Sequence, residues 1–208
     1  MYLEQDDKIL FLGGINKQDP KKEHNIGLGY TLITAAALSA KFPDLNLSFI
    51  NQAYCKDNSQ DMMLSLKERC LSERPSVVVV FLGYQDAVLA REHQEQASLK
   101  EYSRFNRTFR KLIEEIQTQA TRCIILLEPF LLDVNNVNRS IRQDIDQKIQ
   151  ITREIAKDYR CDFLSLDGTL NELAIKNGTF PYVEEDGINY KLATHHIIAE
   201  KLINHFKY

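Results

Sequence analysis

Lys8-Ile9-Leu10-Phe11-Leu12-Gly13-Gly14-Ile15-Asn16 is the stretch on which the reading of the whole chain turns. A short strand, Lys8 to Leu12, apolar at every position after the first, runs into a pair of glycines. A strand apolar on both faces belongs inside a parallel sheet covered by helices on each side. Working outward, four more runs have the same character: Leu47 to Asn51, Val77 to Leu82, Cys123 to Leu127 and Phe163 to Leu166. Between them the apolar period changes from two to about 3.6, the mark of helices. Thr31 to Lys41 stops before Pro43, and Ser59 to Leu71 repeats Met62, Leu66 and Cys70 on one face. Leu99 to Ala120 and Ile141 to Tyr159 are longer and amphipathic, and Leu192 to Phe206 closes the chain.

Strands alternating with helices through right-handed crossovers predict a three-layer α/β/α sandwich. The expected sheet is five-stranded, parallel and doubly wound, in the flavodoxin-like order 2-1-3-4-5. With 208 residues and no low-complexity interruption, residues 1–208 are expected to form one domain. Ligands of such sheets bind beyond the carboxyl ends of the strands. The loops to watch are therefore Gly13 to Gly29, Gln52 to Asn58, Gly83 to His93, Pro129 to Asn138 and Phe180 to Tyr190.

Composition narrows the function. Hydrophobic residues at 44% and charged residues at 26% describe a globular chain, and a formal charge of -3 offers no broad attraction to phosphate backbones or anionic lipid. Neither nucleic acid nor a membrane is the expected partner. Acidic Glu4, Asp6 and Asp7 precede only a short apolar run, unlike a secretory leader, so the expected location is cytoplasmic. Cys55, Cys70, Cys123 and Cys161 are widely spaced, which suits reduced thiols better than disulfides or a zinc site. Gly27-Leu28-Gly29 lacks the later Gly and the Lys-Ser/Thr pair of a phosphate loop, and Glu184-Glu185-Asp186 reads as a solvated acidic turn. No cofactor and no metal are expected.

Four blocks, in this order, resemble the signature blocks of the SGNH (GDSL-type) esterases. Ile9 to Asn16 resembles the first strand entering the family's Gly-Asp-Ser-Ile turn; Asn51-Gln52-Ala53-Tyr54-Cys55-Lys56-Asp57 stands where the family has an Asn followed by an oxyanion-hole Gly. Phe81-Leu82-Gly83-Tyr84-Gln85-Asp86 resembles Gly-x-Asn-Asp, and Asp186-Gly187-Ile188-Asn189-Tyr190 followed by Thr194-His195 resembles Asp-Gly-x-His-Pro and a downstream Gly-His. Gly27 to Tyr30, Glu128-Pro129-Phe130 and Ile198 to Lys201 extend the resemblance toward the small bacterial esterases. The resemblance implies the SGNH hydrolase fold.

It also exposes what is missing. Acyl transfer needs a hydroxyl nucleophile, an imidazole to take its proton, a carboxylate to orient that imidazole, and donors for the oxyanion. At the matching positions stand Ile15, a hydrocarbon, and Asn189, an amide that accepts no proton near pH 7. Lys56 replaces the oxyanion Gly, Gln85 replaces the Asn, and only Asp186 remains. The sequence thus points to an inactive SGNH-like protein whose pocket, around Gly14, Ile15, Lys56, Gln85, Asp186 and Asn189, or whose outer surface, binds a small polar ligand or a protein partner; an oligomer is compatible with it. The alternative is a carboxylic-ester hydrolase rebuilt around Cys55 or a histidine at the start of the last helix, His195 above all. His24 is a weaker candidate. A Lys56–Asp186 ion pair across the pocket, and a lid formed by Asp133 to Asn138, are further arrangements the sequence allows, the latter against a plain surface loop.

Overall fold

A computed structural model describes residues 1–14, 26–53 and 57–207. Its five strands are β1 (Lys8–Gly13), β2 (Ser48–Gln52), β3 (Val77–Phe81), β4 (Cys123–Leu127) and β5 (Asp162–Leu164). They form one sheet in the order β2-β1-β3-β4-β5, every pairing parallel, as the sequence predicts. The helices are α1 (Tyr30–Lys41), α2 (Ser59–Arg69), α3 (Tyr84–Glu92), α4 (Leu99–Gln117), α5 (Asn136–Ser140), α6 (Arg142–Tyr159), α7 (Asp167–Asn177) and α8 (Leu192–His205).

Side chains alternate across a strand, so each apolar run fills two cores at once. Ile9, Phe11, Val77, Val79, Ile125 and Leu127 face Tyr30 and Leu38 of α1 and Ile198 and Leu202 of α8. Leu10, Leu12, Val78, Val80, Ile124 and Leu126 face Met62 and Leu66 of α2, Phe105 and Phe109 of α4, and Ile151 and Ile155 of α6. Each such side chain, fully buried, contributes about 1.5–3 kcal/mol. Only β1, β3 and β4 have this double cover. The outer strands β2 and β5 are half-exposed along most of their length, because a sheet edge has a neighbour on one side only.

The expectations fail in the connecting segments. Gly83 to His93, expected as a loop, is mostly helix α3: Gly83 at φ 117 turns the chain into it, and its buried face is made of Asp86, Ala87 and Ala90. Small residues and a carboxylate on the inner face hide the apolar period. Helix α7 has one buried residue, Leu170, and no sequence signal announced it. The last strand ends at Leu164 instead of Leu166, which becomes the residue capping α7.

The thiols are unpaired among the described residues: Cys70 is buried, and Cys123 and Cys161 are half-buried. Burial pushes each up to about 12, the form of a packing residue and not of a nucleophile. No described helix is long and apolar enough to cross a membrane.

Candidate functional site

The carboxyl ends of β1 and β3 and the turn before α8 converge on one crevice, and the connecting contacts are specific. Gly13 ends β1 at φ 66; a Cβ there would lie 2.3 Å from the Phe81 carbonyl oxygen, so only glycine lets β1 leave the sheet beside β3. Gly14 follows, half-buried, with the Tyr30 hydroxyl 3.1 Å from where its Cβ would stand. That hydroxyl is buried and has no hydrogen-bond partner among the described residues. Tyr30 packs edge-on against Phe11 and Phe81; Phe81 stacks on Phe130, and Phe130 meets Tyr190 at 4.8 Å. An aromatic floor thus runs from the β1 turn to the turn that carries Asp186 and Asn189.

Behind β2, Asn51 ties two loops together. Its Nδ2 donates to the Ile26 carbonyl at 2.7 Å and its Oδ1 accepts from the Ala53 N–H at 2.9 Å. Asp86, buried on α3, accepts from the Ser59 N–H and, at 2.6 Å, from the Ser59 hydroxyl. It therefore clamps the start of α2 to the helix that carries Gln85. Burial raises the Asp86 carboxyl, against the opposing pull of the Ser59 bonds. Glu128, fully buried at the end of β4, accepts from Arg153, Ser165 and the N–H groups of Leu166 and Asp167. With its acceptor sites engaged it is a structural knot joining β4 to α7.

The decisive geometry lies between Val183 and Tyr190, which close a short antiparallel bridge. Asp186 Oδ1 accepts from the N–H groups of Ile188 and Asn189, both at 2.9 Å, and Asp186 Oδ2 accepts from Asn189 Nδ2. Glu184 N–H closes the turn on the Asn189 carbonyl at 2.8 Å. The side chain that Asp186 holds at position 189 is thus an amide. The turn is gripped from outside as well: Tyr84 Oη and Asn138 Nδ2 both donate to the Gly187 carbonyl, at 3.2 and 3.1 Å, and Asn135 Nδ2 donates to the Glu185 carbonyl. The Asn-rich segment 133–138 is therefore a brace for this turn. Sequence reasoning missed Tyr84, Asn135, Asn138 and the role of Asp86, since polar residues in a loop carry no sign of what they hold.

His195, on the first turn of α8, accepts the Tyr30 N–H at Nδ1 and stacks on the Tyr30 ring with an interplanar angle of 10°. Burial lowers its pKa, opposed by a hydrogen bond to the Tyr190 backbone. Its Nδ1 is thus engaged by the scaffold. A folded-state pKa below the unfolded value of about 6.5 means the unfolded chain binds more protons between the two. The neutral ring's contribution is complete above that unfolded value and is lost as pH falls through the window beneath it. His195→Gln is expected to flatten the decline in urea midpoint between about pH 7 and 5; an undiminished decline would assign it to other groups.

Gln85 is half-buried on the first turn of α3. Ile15, Lys56, Cys55 and His24 lie outside the described residues, and with them the Lys56–Asp186 pair. Among the described residues no group of His, Cys, Asp and Glu is placed to hold a metal. Beside Asn189 opens a cavity of about 640 Å³ lined by Leu28, Gly29, Pro181, Glu184, Lys191 and Leu192.

No family model matches the sequence. The acetylxylan esterase of Geobacillus stearothermophilus is 23% identical over 214 residues, covering 98% of this chain and 95% of that protein. Its solved structure superposes with a TM-score of 0.83 at 20% identity, over 98% of this chain and 95% of the other. A GDSL-like lipase from Parabacteroides merdae gives a TM-score of 0.87 at 19% identity, over 97% and 96%. The fold is that of the SGNH hydrolases. The esterase is also solved as catalytic mutants in which a serine, an aspartate or a histidine is replaced. The resemblance that the SGNH blocks suggested is matched by both relatives, end to end.

Proposed function

We propose that this chain is a non-hydrolytic SGNH-fold protein whose crevice retains a polar ligand without turning it over. The reading rests on the Asp186–Asn189 hydrogen bond: the carboxylate that should orient a base instead holds an amide. An amide accepts no proton from a nucleophile at neutral pH, and position 15 supplies an isoleucine in place of one. The ligand chemistry to try first is an O-acetylated sugar, because the acetylxylan esterase resembles this chain over nearly its full length.

That same likeness favours a second reading, a carboxylic-ester hydrolase with a rearranged apparatus that uses Cys55 or a histidine at the start of the last helix. A fluorophosphonate probe and a panel of short acyl esters separate the two. The native protein is expected to remain unlabelled and to hydrolyse no ester above the buffer rate. Covalent labelling, or turnover that disappears in Cys55→Ala, would transfer the assignment to the hydrolase.

A further inference from the structure

Tyr30 is wholly buried, yet its hydroxyl has no hydrogen-bond partner among the described residues. Folding strips such a donor of water without replacing the lost bond, so the group weakens the fold unless something else accepts from it. The rest of the residue is firmly placed. Its backbone N–H donates to His195 Nδ1 at 3.3 Å, its ring stacks on the His195 imidazole, and Phe11 and Phe81 pack edge-on at centroid separations of 5.9 and 6.3 Å. A ring packed on three sides holds its hydroxyl in one position.

That position is the turn at the end of β1. The hydroxyl oxygen is 3.1 Å from where a Gly14 Cβ would stand, and the other atoms nearest that point are ring carbons of Phe81 and Tyr30, at 3.6 and 3.7 Å. Gly14, at φ 128, is half-buried and immediately precedes Ile15 in the chain. Any Cβ at this residue would press on the hydroxyl, and glycine leaves it uncovered at the crevice.

The surroundings select the kind of oxygen that fits. Burial raises the phenol well above its ordinary pKa, so near neutral pH it is an uncharged donor. A single donor set among hydrocarbon matches a ligand group that has an acceptor and no proton to give. A sugar hydroxyl would bring a donor of its own to satisfy, and a carboxylate would lay a charge against the aromatic floor.

We propose that the Tyr30 hydroxyl recognises the carbonyl oxygen of an ester carried by the ligand, with the acyl chain lying against Phe81. The assignment rests on the crevice being a ligand site, as proposed above, and makes the acyl group, not the sugar ring, the part that is recognised.

Isothermal titration calorimetry on the full chain tests it with per-acetylated methyl glucoside, the per-methylated ether, which lacks the carbonyls, and the unsubstituted glucoside. The native chain is expected to bind the ester at least about tenfold more tightly than the ether or the free glucoside. In Tyr30→Phe the affinity for the ester is expected to fall about tenfold, and the preference for ester over ether to vanish. The melting temperature of the variant should equal or exceed that of the native chain, because the hydroxyl it removes has no partner among the described residues. A lower melting temperature would mean that the hydroxyl is bonded within the protein, and overturns the proposal. So does an ester bound equally by both proteins, or bound by the native chain no better than the ether. Acetate released from the ester by the native chain would refute only the absence of hydrolysis; the same comparison, then made in KM, still decides the role of Tyr30, and a KM unchanged in Tyr30→Phe overturns it.

Discussion

Restoring Ile15→Ser, Lys56→Gly, Gln85→Asn and Asn189→His together is expected to create an esterase, with kcat/KM on 4-nitrophenyl acetate at least about a thousandfold above the native chain. The geometry of the turn is the reason. Asn189 Nδ2 already donates to Asp186 Oδ2, and in histidine the Nδ1 atom occupies the same place along the side chain, one bond beyond Cγ. An imidazole at position 189 would therefore inherit the existing hydrogen bond. That bond fixes the tautomer with the proton on Nδ1 and leaves Nε2 as the acceptor for a serine hydroxyl. The turn needs no rebuilding, because the N–H groups of Ile188 and Asn189, together with Tyr84 and Asn138, hold it independently of the side chain at 189. Single substitutions are expected to do almost nothing, since nucleophile and base act as a unit and either alone is idle. A folded quadruple variant with no activity would show that the crevice has lost its shape as well as its groups.

How far the sequence could be read depended on the kind of signal. Sheet order and the long helices were legible because β1, β3 and β4 bury both faces and α4 buries one, so each leaves a periodic apolar record. Helix α3 was not, since Asp86, Ala87 and Ala90 on its inner face imitate a polar segment. At the site, Asp186 and Asn189 were found by their resemblance to a family motif, and the structure puts them in contact. His195 was legible as a position but not as a role: only the fold shows its Nδ1 turned toward the Tyr30 N–H. The braces at Asn135 and Asn138 bond backbone carbonyls some 50 residues away, and no local pattern encodes a partner that distant.

Beneath the turn that carries Gln85 lies an ion pair whose loss is expected to cost more stability than the removal of any surface charge. Lys148 Nζ donates to Glu101 Oε2 at 2.7 Å with both side chains 1% exposed, and the ammonium stands 5.3 Å from the centroid of the Phe105 ring. The Lys148 Cβ lies 3.2 Å from where a Gly83 Cβ would be, so the stem of this lysine packs against the junction of β3 and α3. Glu101→Leu leaves an ammonium in a region closed to water, at an expected cost of about 3–5 kcal/mol. For a chain of this length that is a fall in melting temperature of roughly 6–20 °C. Lys148→Met is expected to be at least as damaging: the ammonium also lowers the buried Asp86 carboxyl, which Glu101 raises, so removing it leaves two carboxylates with no cation between them. The double variant Glu101→Leu with Lys148→Met is expected to recover most of the loss, because it removes both desolvated charges together and leaves hydrocarbon beside Phe105. Thermal unfolding of the three variants settles the point: single losses below about 1 kcal/mol would mean that water reaches the pair, while a double variant as unstable as the worse single would show that α4 and α6 require the hydrogen bond itself and not only the absence of an unpaired charge.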